Sequence, residues 1–171
     1  SIPKHELLFM FAGKIEPKKD PLLLAEAFIN SGVEGQAHLL FVGNGELESA
    51  LKSKCSSYKN IHFLDFQNQS AMPSVYEAAD VFILPSKGPG ETWGLAVNEA
   101  MANGKPVLVS DKCGCAADLV KQGENGFVFE AGNTSMLSRY ISEMIKSDLQ
   151  KMSQRSFEII SKYTTEQDAM A

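Results

Sequence analysis

"DVFILPSKGPGETWGLAVNEAMANGKPVLVSD", residues 80 to 111, decides how this chain folds. It begins and ends on short apolar runs, "VFIL" and "VLV". Neither alternates as a half-exposed strand would, and that pattern belongs to strands covered on both faces. Between them "TWGLAVNEAMAN" has helical period, and Gly104 directly after Asn103 suits a helix exit. Strand, helix and strand in succession predict a parallel crossover.

The same pattern extends outward in both directions. "ELLFMFAG" (6 to 13), "HLLFVGNG" (38 to 45), "IHFLDF" (61 to 66) and "GFVFEAG" (126 to 132) join the two runs above as strands, each closed by Gly, Asp or a similar breaker. Helical period fills "DPLLLAEAFINS", "GELESALKSKCS", "SAMPSVYEAA", "AADLVKQG" and a long final stretch, "SMLSRYISEMIKSDLQKMSQRSFEIISKY". Pro21 suits a first helical turn, Pro73 marks the start of the third helix, and Asn133 or Thr134 caps the final helical region. The expected fold class is α/β: a doubly wound, mainly parallel, six-stranded Rossmann-like sheet with helices on both faces, formed as one domain over residues 1–171.

Composition narrows the function. With 171 residues, 44% of them hydrophobic, the chain can bury one good core. A net charge of -5 argues against a broad nucleic-acid face, so any phosphate site must be local. Cys55, Cys113 and Cys115 form neither a disulfide framework nor a zinc ligand set, and read as reduced thiols. No apolar run reaches the roughly 18 residues of a membrane span. The expected location is therefore the cytoplasm.

In such a sheet, ligands sit beyond the carboxyl ends of the strands. After the first strand, Gly13 permits a tight turn, and Lys14, Lys18 and Lys19 follow; two of these can converge on an anion, or all can be a solvated charge run. After the second strand come Gly43 and Gly45. Glu48 occupies the third glycine position of a dinucleotide fingerprint, so a nicotinamide-dependent oxidoreductase is disfavoured. These glycines let backbone approach a ligand, or simply make a turn. After the fourth strand, Thr92 as a cap would leave the amides of Trp93, Gly94 and Leu95 facing an anion at the helix mouth.

Glu91 and Glu99 would then stand about 12 Å apart if every intervening residue were helical. That exceeds the roughly 5 to 9.5 Å of a hydrolytic carboxylate pair. It suits carboxylates that bracket a sugar nucleotide by accepting hydrogen bonds from its hydroxyls. The plainer alternative is a loop charge and a partly exposed helix residue. His5, His38 and His62 lie in or near strands rather than at their carboxyl ends, which makes them structural and leaves no obvious general base.

Taken together, "FAGKIEPKKDPLLLAEAF", "LLFVGNGELESAL", "IHFLDF", "VYEAADVFILPS", "GETWGLAVNEAMANGKPVLVSD" and "GENGFVFEAGN" resemble the carboxyl-terminal, donor-binding half of the retaining group 1 glycosyltransferases, whose two-domain fold is called GT-B. The resemblance covers essentially the whole chain. It implies that Lys14 and Lys19 hold the donor diphosphate, that Glu91 lies by the donor sugar, and that Glu99 takes the ribose hydroxyls. It also places amides of Trp93, Gly94 and Leu95 near sugar and phosphates, and the segment at Phe66 and Gln67 near the base.

Three departures stand out. Lys14 occupies a position where arginine is usual, Asp65 one where glycine is common, and Gly114, Cys115 and Asp118 replace a frequent Gly-Gly and glutamate. The resemblance further implies a nucleotide diphosphate sugar (UDP-, GDP- or ADP-linked) as donor and no bound metal or other cofactor. It implies an amino-terminal acceptor domain that this chain lacks, with peripheral association at the cytoplasmic membrane face left open through that half. Alternatives are half of a sugar-nucleotide epimerase or phosphorylase of the same design, and a non-catalytic nucleotide-binding module.

Overall fold

Strand and helix alternate from β1 (Leu7–Ala12) through α1 (Pro21–Asn30), β2 (Ala37–Val42), α2 (Glu48–Cys55), β3 (Ile61–Leu64) and α3 (Met72–Ala78) to β4 (Val81–Leu84). The second half continues with α4 (Leu95–Ala102), β5 (Val107–Ser110), α5 (Ala116–Leu119), β6 (Gly126–Phe129), α6 (Thr134–Lys146) and α7 (Leu149–Met170). The structure, a computed structural model, describes all residues except Gly90 and Thr92. The sheet has six strands in the order β3-β2-β1-β4-β5-β6, and every pairing is parallel. The doubly wound architecture expected above is present, and the sheet is wholly rather than mainly parallel.

Burial explains why the central strands lack alternation. All of Val81 to Leu84 and Phe9 to Phe11 are buried, because helices cover both faces of the sheet. On one face α1 packs against α2 and α6; on the other α7 packs against α4 and α5. Phe9 meets Phe28 of α1 edge to face at 6.1 Å, and Phe82 of β4 meets Tyr76 of α3 at 5.9 Å. Each contact welds a helix to the strand it covers.

β1 and β2 pair over six residues, Leu7↔Ala37 to Ala12↔Val42. β1 and β4, the central neighbours, pair over only two, Phe9↔Val81 and Met10↔Phe82. Past Met10 these two strands share no ladder, and the segments that follow them are free to part. This is where the strand order reverses and where a ligand crevice opens in such folds.

The final stretch, read above as one helical region, is two helices. Ser147 is extended (ψ 156), and the Asp148 side chain accepts from the Lys151 amide to cap α7. A side-chain acceptor that competes with the helix ladder breaks the run although its apolar period continues. Asn133 caps α6 by accepting from the Met136 amide, as expected. Pro73 lies in the first turn of α3. Among the described residues no helix is long and apolar enough to cross a membrane.

At the opposite, amino-terminal end of the strands, His38 Nδ1 and His62 Nε2 lie 2.8 Å apart, and His38 Nε2 lies 2.6 Å from Glu6 Oε2. The structural role expected of His38 and His62 fits this cluster. The facing nitrogens have room for one proton, so one ring must accept. Burial, together with His38 opposite it, pulls the His62 pKa below its ordinary value. The unfolded chain then binds the proton more readily than the folded one. The contribution of His62 is intact above the unfolded histidine value near ~6.5 and is lost as pH falls towards the depressed folded value. Thermal melts from about pH 7.5 down to about pH 5.5 should show a falling Tm, and His62→Gln should flatten that fall. An unchanged slope in the variant would place the dependence elsewhere.

Candidate functional site

A cavity of about 490 Å³ opens beyond the carboxyl ends of β1 and β2. Ala12, Gly13 and Lys14 form one wall, Val42, Gly43 and Asn44 a second. Phe66, Gln67 and Gln69 after β3, Met72 and Tyr76 of α3, and Ala96 and Glu99 of α4 complete it. A smaller cavity of about 270 Å³ shares Tyr76 and Glu99 with it. Glu99 therefore stands where the two spaces meet.

The loops around this space are laced together by their own backbone. Gly13 N donates to Val42 O at 3.0 Å, Ile15 N to Asn44 O at 2.8 Å, and Gly43 N to Leu64 O at 2.9 Å. Gly43 and Gly45 exist for this lacing. A Cβ on Gly43 would strike the Gly13 carbonyl oxygen, and one on Gly45 would strike Ile15 O. The expectation for these glycines was a close approach to a ligand or a plain turn; the group that approaches them closely in the structure is neighbouring backbone. Only Gly43 borders the large cavity.

Beyond β3, Asp65 Oδ1 accepts from the Phe66 amide at 2.7 Å and from Asn44 Nδ2 at 3.1 Å. The residue that departs from a common glycine thus ties its own turn to the loop after β2. Gln67 Nε2 folds back on the carbonyls of Asp65 and Phe66, and the Phe66 ring is left 67% exposed on the rim.

The entrance to α4 differs from expectation. Thr92, the expected cap, lies outside the described residues. The observed cap is Gly94, in the left-handed region at φ 95, and the helix starts at Leu95. Trp93 is therefore outside the helix. Its carbonyl accepts from Cys115 N at 2.9 Å, its indole donates to Asn98 Oδ1 at 2.9 Å, and its ring stacks on Tyr163 of α7. A Cβ on Gly94 would press on Leu84 and the Cys115 thiol. Tight packing, added to positive φ, accounts for this glycine. Leu95 is 70% exposed. Burial pushes the Cys115 thiol up to about 12 and also raises Cys113, so both are protonated and inert behind the site.

The two glutamates occupy separate environments. Because the helix begins after Glu91, the two-turn spacing imagined for the pair does not apply. The Glu91 carboxylate, 9% exposed, pairs with Lys19, 18% exposed, and its Oε2 accepts from the buried Ser86 hydroxyl at 3.0 Å. Ser110 in turn donates to the Ser86 carbonyl. The loops after β1 and β4 are further tied by Lys87 N donating to Lys18 O at 2.9 Å, and by Lys87 beside Asp20 at 3.8 Å.

Glu99 faces the cavity instead, with its Oε2 accepting from the Tyr76 hydroxyl at 3.0 Å. The structure thus gathers Gly13, Lys14, Gly43, Phe66, Gln67 and Glu99 around one space, and sets Lys19 with Glu91 beside it as an ion pair. Asn44 and Tyr76 were not singled out from sequence. A buried tyrosine that needs a partner for its hydroxyl was the available signal for the second.

Sheet order and cleft define a doubly wound α/β domain with a cavity at the topological switch point, where such folds bind ligands. The chain belongs to the glycosyl transferases group 1 family, whose model matches residues 1–160. It is 30% identical, over 85% of its own length, to the UDP-Gal:alpha-D-GlcNAc-diphosphoundecaprenol alpha-1,3-galactosyltransferase of Escherichia coli, and spans 37% of that relative. Among solved structures it superposes on the C-terminal domain of a glycosyl transferase group 1 family protein from Francisella tularensis, with TM-score 0.81 and 22% identity, covering 94% of this chain and 87% of the other. It also superposes on Alr3699/HepE of Anabaena in complex with UDP and glucose, with TM-score 0.81 and 23% identity, covering 92% and 44%. The fold is that of the carboxyl-terminal domain of a group 1 glycosyltransferase.

Gly43→Ala should cost about 2–4 kcal/mol through clash and backbone strain. In a domain of this size that is a Tm drop of roughly 5–15 °C. Differential scanning calorimetry checks it, and an unchanged Tm would mean that the lacing between the loops after β1 and β2 yields easily.

Proposed function

We propose that this chain is the donor-binding half of a retaining glycosyltransferase that moves a sugar from a nucleotide diphosphate sugar to an acceptor hydroxyl. The observation that carries the reading is the cavity at the switch point, with Lys14 in one wall and the Glu99 carboxylate in another. A cation and an acceptor of hydroxyl protons on facing walls match a phosphorylated ribose. The Escherichia coli relative is named for a UDP-sugar donor, and the Anabaena structure holds UDP and glucose, which supports the same ligand class here. The acceptor would be supplied by an amino-terminal half, and this chain alone would transfer little or nothing.

Transfer requires stabilisation of the negative charge that grows on the departing diphosphate as the bond from sugar carbon to phosphate oxygen breaks. Lys14 and the first-turn amides of α4 would meet part of that charge without a resident metal. Lys19 would meet the rest, but it must first leave Glu91. A diphosphate competes for the ammonium, and the released carboxylate can then accept from hydroxyls of the donor sugar. Half-buried ion pairs are suited to such exchange, since desolvation cancels much of their attraction.

Calorimetry with UDP, GDP, ADP and their sugar conjugates should find one base bound specifically; no binding to any would sink the reading. Lys14→Ala should weaken the preferred nucleoside diphosphate about tenfold, the effect of one charge-assisted hydrogen bond. Glu91→Gln should split the ligands: diphosphate affinity unchanged or higher because Lys19 is released, and sugar-conjugate affinity lower. Equal losses for both ligands would contradict the exchange.

A further inference from the structure

Tyr76 is among the largest fully buried side chains of the protein, 1% exposed, yet its hydroxyl reaches the wall of the ligand cavity. It donates to Glu99 Oε2 at 3.0 Å; the Ala96 carbonyl, at 3.4 Å, is the more distant acceptor. The ring is fixed by its tilted contact with Phe82 of β4, 5.9 Å between centroids. Glu99 itself is an exposed residue on the second turn of α4, and an exposed glutamate ordinarily samples several rotamers.

The rigid phenol removes that freedom. With Oε2 held, the second carboxylate oxygen has a set position from which to accept. Burial and the neighbouring Glu99 charge raise the Tyr76 pKa, which keeps the hydroxyl a donor at any pH the protein meets.

We propose that Tyr76 is a positioning residue for ribose recognition: it anchors one oxygen of Glu99 so that the other meets the 2′- and 3′-hydroxyls of the nucleotide. This rests on the reading of Glu99 as the ribose contact. Preorganisation of this kind raises affinity by lowering the ordering cost of binding, without a new contact to the ligand.

The test compares UDP, GDP and ADP, each against its 2′,3′-dideoxy counterpart, by calorimetry on the parent chain, Tyr76→Phe, Glu99→Gln and the double variant. Phenylalanine preserves the contact with Phe82, so melting curves should stay close to the parent's. The parent should prefer the ribonucleotide of the base it binds. Tyr76→Phe should weaken that ribonucleotide by about three- to tenfold and leave the dideoxy form within about twofold. The double variant should be no weaker than Glu99→Gln, as for two groups acting through one contact.

A parent that binds no pair, or binds both members of every pair alike, overturns the reading of Glu99 and the role of Tyr76 with it. A parent that discriminates, with a Tyr76→Phe variant that discriminates equally or loses both ligands in proportion, overturns the role of Tyr76 alone. If the variant does not fold, a crystal structure of the parent with its nucleotide decides. Tyr76 must then still donate to one Glu99 oxygen while the ribose meets the other, and a hydroxyl that has left Glu99 overturns the proposal.

Discussion

β1 and β4 hold each other through two residues and then part, and every feature of the site depends on that divergence. The chain leaving β1 turns into a helix on one face of the sheet, and the chain leaving β4 enters a helix on the other. Neither departing segment can continue the ladder, so a crevice is left between them. Its walls are the faces of α3 and α4 and loops that are laced to one another by backbone hydrogen bonds. What remains for a ligand is a small set of side chains at known stations.

Two of those side chains are glutamates, and the fold gives them different circumstances. Glu91 is drawn inward, where the buried Ser86 hydroxyl and the Lys19 ammonium hold the same oxygen. Glu99 is held on the outer wall by a buried phenol and keeps an exposed edge. In each case a buried hydroxyl finds its partner in a carboxylate, and for Glu99 that carboxylate lines the cavity, so satisfying the interior also orients this wall. The contact that satisfies the buried Tyr76 hydroxyl also holds a carboxylate in the cavity wall.

Much of this was legible in the amino-acid order. Strand runs such as Val81 to Leu84 lack alternation because both faces of the sheet are covered, and that local signature carries the global layering. Pro73 and Asn133 mark helix starts by their own chemistry. The departures have one local cause and one distant one. Asp148 breaks the final helical region through one side-chain hydrogen bond that apolar period cannot reveal. Gly94 caps α4, and a left-handed residue pressed against Leu84 and Cys115 depends on neighbours 10 and 21 positions away.

The sequence by itself determined the class of sheet, the loops that follow its strands and the residue types available there, because period, breakers and charge are properties of neighbouring residues. Tertiary structure alone decided which of those residues meet. Lys19 finds Glu91 and Tyr76 finds Glu99 across separations of 72 and 23 residues. No local pattern encodes such pairs: they follow from how far parallel strands carry their loops, and from the need of each half-buried charge and buried hydroxyl to find a partner once water is excluded.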